Sequence, residues 1–146
     1  MRYTRDMDSV PLKQLYVRAN TCLQEEKYAE AVLLYKKIIE QDRAHIKAYS
    51  NLGVAFKNLH LFSEAIEVFE RVIQIRPNFP EAYNNLGNVY TAMGEYRKAI
   101  ACYEQAVKLK PTYKQAYLNL GAVHFFTGNT EKAIEIHLLV QKLSKR

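Results

Sequence analysis

Asn51, Asn85 and Asn119 recur at intervals of 34 residues, a regularly spaced row of hydrogen-bonding side chains. Each carboxamide offers two donors and an acceptor, so a row on one surface can bond the main chain of an extended peptide without reading its side chains. The same amides could instead solvate that surface or bond a neighbouring helix, recurring only because the units are duplicated. His124 and His137 fill aromatic slots of the last unit and are expected to face each other as a packed pair. Two imidazoles do not make a zinc site, which needs three or four protein ligands. No Gly-rich phosphate loop, metal-spaced carboxylate cluster or Cys-His nucleophile signature appears, so no catalytic residue, metal ligand or cofactor is assigned. Cys22 and Cys102 lack C-x-x-C spacing and fall in different units, and are expected to be buried thiols in a reducing compartment.

The elements that position these residues follow from the period. Ala31, Ala65, Ala99 and Ala133 are 34 residues apart, as are Gly53, Gly87 and Gly121, with Ala19 one period earlier. Such a period predicts units that bury their apolar faces against neighbours. In residues 80–113, Tyr83, Leu86, Gly87 and Tyr90 share one side of a helix, and Ala99, Tyr103, Ala106 and Val107 share one side of a second. Gly94 separates the two helices, Pro80 suits a first helical turn, and Pro111 ends the second helix. Gly costs about 1 kcal/mol of helix propensity against Ala, so its recurrence implies close packing. The spacing predicts an N-terminal segment over 1–11 and hairpins over 12–45, 46–79, 80–113 and 114–146.

These residues resemble the tetratricopeptide repeat. Tyr49, Leu52, Gly53, Phe56, Ala65, Phe69 and Pro77 fill the family's slots in the second unit, and Tyr83, Leu86, Gly87, Tyr90, Ala99, Tyr103 and Pro111 in the third. The fourth keeps Tyr117, Leu120, Gly121 and Ala133 but has His124, His137 and Lys145 in departing slots; the first has Arg18 and Arg43 in place of leucine and proline. The resemblance implies an all-α, right-handed α-solenoid of four helix-turn-helix hairpins whose first helices line a concave groove. By helical spacing that face carries Tyr16, Asn20, Lys47, Asn51 and Lys57, then Asn84, Asn85 and Asn88, then Leu118, Asn119, Phe125 and Phe126. The asparagine row resembles that of O-linked N-acetylglucosamine transferases, where it holds extended polypeptide. The family's carboxylate clamp is not matched. Its slots hold Tyr16, Asn20, Asn51, Glu81 and Asn85, or Ser50, Val54, Asn85, Gln115 and Asn119, without the cations that give charge-assisted bonds.

The expected function is a noncatalytic adaptor that binds a peptide or protein segment in its groove, the asparagines meeting the main chain and apolar residues at the ends selecting the partner. Two alternatives stand beside it: the substrate-recruiting arm of a glycosyltransferase system, and a secretion-type chaperone of the same repeat. The formal charge of +6 is spread over the units, with only Lys142, Lys145 and Arg146 clustered, which argues against nucleic acid. No apolar run suggests a membrane span, and a cytoplasmic location is expected. Leu138 and Leu139 stand where earlier units carry charged or polar residues. Either a shift of the last helix buries them, or they form an exposed patch for a partner or a second copy.

Overall fold

A computed structural model describes residues 10–146, so all but Val10 and Pro11 of the N-terminal segment over 1–11 lies outside the described residues. Among these residues all regular structure is helical: α1 (Leu12–Gln24), α2 (Tyr28–Gln41), α3 (Ile46–Asn58), α4 (Phe62–Ile75), α5 (Pro80–Ala92), α6 (Tyr96–Leu109), α7 (Lys114–Phe126) and α8 (Thr130–Ser144). The odd-numbered helices begin at 12, 46, 80 and 114, which is the period of the sequence. Pro80 opens α5, where a missing amide hydrogen costs nothing. The His45 ring caps α3 by accepting from the Ala48 amide, and the Asn129 side chain caps α8 by accepting from the Lys132 amide.

Each hairpin turns in the same way. Glu26, His60, Gly94 and Gly128 have φ of 60°, 59°, 75° and 85°, all left-handed, at one position per unit. Just after it, an amide reaches back across the helix end: Lys27 to the Cys22 carbonyl at 2.8 Å, Leu61 to Phe56 at 2.9 Å, Glu95 to Tyr90 at 2.9 Å and Asn129 to His124 at 2.8 Å. This is the Schellman closure, which satisfies carbonyls that the helix end would leave open.

Two compact units divide the chain inside α4, after Val68. In the first, α1 packs on α2, α2 on α3, and α1 touches α3. Leu15, Ala19, Ala31, Tyr35, Ile38 and Ala48 are fully buried there. Alanines at the crossings let the helices approach, and the larger side chains fill what is left. In the second unit α5, α6, α7 and α8 pack in succession, with α5 also touching α7. Its core joins Ala99, Tyr103, Leu120, Val123 and Ile136, with Tyr90, Ile100, Tyr117 and Val140 packed against them. The crossing at Gly87 requires glycine: a Cβ there would lie 2.6 Å from Tyr103 Cε1. At Gly121 a Cβ would meet Ile136 Cγ2 at 3.4 Å, an ordinary contact. Among the described residues, no helix is long and apolar enough to cross a membrane.

Candidate functional site

The first helix of each hairpin positions the asparagines, but their amides are not an open row. In the first unit, Asn51 Nδ2 donates to Asn20 Oδ1 at 3.1 Å and to Tyr16 Oη at 3.4 Å. Asn20 Oδ1 also accepts from Tyr35 Oη at 2.6 Å. The second unit repeats the arrangement: Asn119 Nδ2 donates to Asn84 Oδ1 at 3.0 Å and to Asn88 Oδ1 at 3.2 Å, while Tyr103 Oη donates to Asn88 Oδ1 at 2.7 Å. Thr91 Oγ1 lies 3.0 Å from the same Tyr103 hydroxyl, and Gln115 Nε2 donates to Asn119 Oδ1 at 3.2 Å. Both hydrogens of each amide are therefore used inside the protein. The expectation that Asn51 and Asn119 offer donors to a peptide is corrected: they fasten one first helix to the next.

Burial explains why these partners matter. Asn84 is only 4% exposed, so it serves the fastening and not a surface. Burial pushes the Tyr35 hydroxyl up to about 12; nearby Tyr16 adds to the rise, and the neighbouring Asn51 carboxamide opposes it. Tyr103 is raised for the same first reason, against the hydrogen bond with Thr91. Burial also raises Tyr113, with Glu81 adding to the effect and the neighbouring Asn84 carboxamide opposing it. Such neutral hydroxyls are firm donors, and each bond contributes about 1 kcal/mol net. Tyr16 is held as well by ring contacts, 6.4 Å from Tyr35 and 5.1 Å from His45 between centroids.

Tyr35 and Tyr103 were not anticipated as parts of this network, though the sequence carries a signal for them. Asn20 and Asn88 each have a tyrosine 15 positions later, whereas Val54 is followed by Phe69 and Ala122 by His137. A hydroxyl is present where a carboxamide needs one.

What stays open is smaller. Asn85 is half-buried and its side chain makes no hydrogen bond among the described residues. Lys47 is exposed and Lys57 half-buried on the first unit's face. On α7, Leu118, Phe125 and Phe126 are 47%, 63% and 71% exposed, and the two phenyl rings meet edge to face with centroids 6.2 Å apart. Neither ring has entered the core. The histidine pair is also corrected: His124 is buried with no partner for Nε2 among the described residues, whereas His137 is exposed and its Nε2 lies 3.2 Å from Gln141 Nε2. The last hairpin exposes one slot and buries the other, so the rings do not share an environment.

Tandem helical hairpins, closed by left-handed turns and fastened through asparagine and tyrosine, define a repeat scaffold. The chain belongs to the tetratricopeptide-repeat family: a model described as TPR repeat matches residues 62–94 and 87–128, and models described as tetratricopeptide repeat match 46–76 and 114–145. Its fold is that of a tetratricopeptide α-solenoid. The crystal structure of MamA superposes with a TM-score of 0.83 at 26% identity, covering 98% of this chain and 85% of that one. MamA 41-end from Desulfovibrio magneticus RS-1 does so with 0.82 at 22% identity, covering 94% and 78%. The first TPR of Spaghetti (RPAP3), bound to the HSP90 peptide SRMEEVD, gives 0.72 at 22% identity, covering 80% and 92%. The latter two likenesses concern the fold alone. No curated protein matches the chain in sequence.

Proposed function

We propose that the chain is a noncatalytic adaptor that holds a segment of another protein against the first helices of its hairpins. The observation that carries this reading is the apolar patch of Leu118, Phe125 and Phe126 on α7, exposed on the helix face opposite the core contacts. Clustered, rigid aromatic rings are the usual anchors of protein recognition. Family membership supports the same reading, as does a structure of this fold that contains a bound peptide. Asn85 supplies the carboxamide available for main-chain contact, while Lys47 and Lys57 suit acidic side chains on the first unit's face. The partner segment therefore carries aliphatic or aromatic residues for α7. A chaperone tail ending in a carboxylate is not the expected ligand, because the clamp slots lack cations. The alternative of a glycosyltransferase's recruiting arm draws on the asparagine row, of which Asn85 alone keeps its donors. The free thiols Cys22 and Cys102 suit a cytoplasmic location.

Selection of binders from a random peptide library tests the proposal. Selected peptides should be rich in apolar and aromatic residues, and Phe125→Ala/Phe126→Ala should weaken them about thirtyfold, the ~2 kcal/mol of an aromatic anchor. Arg97→Ala, on the exposed side of α6, should leave binding unchanged. Peptides that bind the double phenylalanine variant as well as the wild type would reject this face.

A further inference from the structure

The last helix carries a second surface that the segment-holding face does not use. Along α8, Glu131, Glu135, Leu138, Leu139 and Lys142 follow one another at steps of four, three, one and three, which places them on one stripe. The core side of the helix lies elsewhere, with Ile136 buried and Val140 packed beside it. All five stripe residues are exposed, Leu138 by 52% and Leu139 by 38%. The two leucines, with Val107 and Tyr117, border a pocket of about 480 Å³ that nothing covers among the described residues.

From Glu135 to Lys142 the order is acid, apolar, apolar, base, and its steps of three, one and three read the same from either end. We infer that this stripe is a self-association surface, through which two copies of the chain pair their α8 helices antiparallel about a two-fold axis between Leu138 and Leu139. That pairing sets Glu135 against the partner's Lys142, with leucines meeting at the centre. A parallel arrangement would oppose like charges. Head-to-tail stacking is disfavoured too, because α1 shows exposed Arg18 and Thr21 in the slots where α7 carries buried Leu120 and Val123. A surface that pairs with itself about a two-fold axis closes into a dimer and does not grow into a filament. Glu135 already lies 3.3 Å from Lys132, but that pair is exposed and contributes little.

Sedimentation equilibrium of the whole chain over a concentration series tests this, with circular dichroism to confirm that each variant is folded. The wild type should dimerise. Glu135→Lys and Lys142→Glu should each weaken the dimer about tenfold or more, since each sets like charges opposite one another twice per dimer. The double reversal Glu135→Lys/Lys142→Glu should recover it, and Leu138→Ala/Leu139→Ala should abolish it. A chain that stays monomeric at roughly 100 μM would overturn the inference and leave the surface to a different protein. Association that ignores the single reversals, fails to recover in the double, or grows without limit would overturn it equally.

Discussion

Tyr103 is the side chain on which the most constraints converge. Its ring occupies the space a Cβ at Gly87 would need, and its hydroxyl is held by Asn88 at 2.7 Å beside Thr91 at 3.0 Å. The ring cannot yield without giving up those bonds, so Gly87→Ala should lower stability by about 1–3 kcal/mol, the cost of overpacking a filled core. Gly121→Ala differs: the nearest atom is Ile136 Cγ2 at 3.4 Å, and the substitution should raise stability by up to about 1 kcal/mol through helix propensity. Urea unfolding of both variants checks the contrast, and equal effects would refute it. The need for a small residue at both positions was legible in the sequence, because glycine inside a helix has to be explained by packing. The difference between them was not, since it depends on whether a tyrosine or a histidine stands 16 positions later and on where that ring turns. The asparagine fastenings were missed for a related reason. A carboxamide's type states what it can bond but not with whom, and only the pairing of Asn20 with Tyr35 and Asn88 with Tyr103 distinguishes inward bonding from an open row.

The helical hairpin is stabilised at its turn as well as its crossing. Four left-handed residues occupy one slot, yet only Gly94 and Gly128 adopt that conformation without a Cβ penalty. Glu26 is strained in the same place, by about 1–2 kcal/mol in general for non-glycine residues. Glu26→Gly should therefore raise stability by up to about 1 kcal/mol after the added flexibility of the unfolded chain is subtracted. Gly94→Ala should lower it by a similar amount, with nothing within 4 Å to complicate the change. Thermal unfolding of the pair checks both signs. Gly94 announced the turn from the sequence, whereas Glu26 and His60 did not, because neither residue type advertises a left-handed backbone; the period alone places them there.

For the molecule as a whole, a repeat scaffold owes its stability to a sum of units and of the junctions between neighbours. Asn51 fastens α3 to α1 and Asn119 fastens α7 to α5, each through two hydrogen bonds; without these amides Tyr16 Oη and Asn84 Oδ1 lose the donor, while Asn20 and Asn88 keep their tyrosines. Asn51→Ala and Asn119→Ala should each cost about 1–2 kcal/mol, the loss of two part-buried hydrogen bonds. The two sets share no partner, so the double variant should lose the sum to within about 0.5 kcal/mol. Asn85→Ala removes no such bond and should leave the urea midpoint nearly unchanged while weakening a bound segment. The period made the stack of hairpins legible from sequence, but whether its asparagines serve the stack or a ligand depends on the register between neighbouring helices. If Asn51→Ala and Asn119→Ala reduced binding to a library-selected peptide and left the unfolding midpoint in place, the amides would face a ligand after all, and the junctions would have to be held by apolar packing alone.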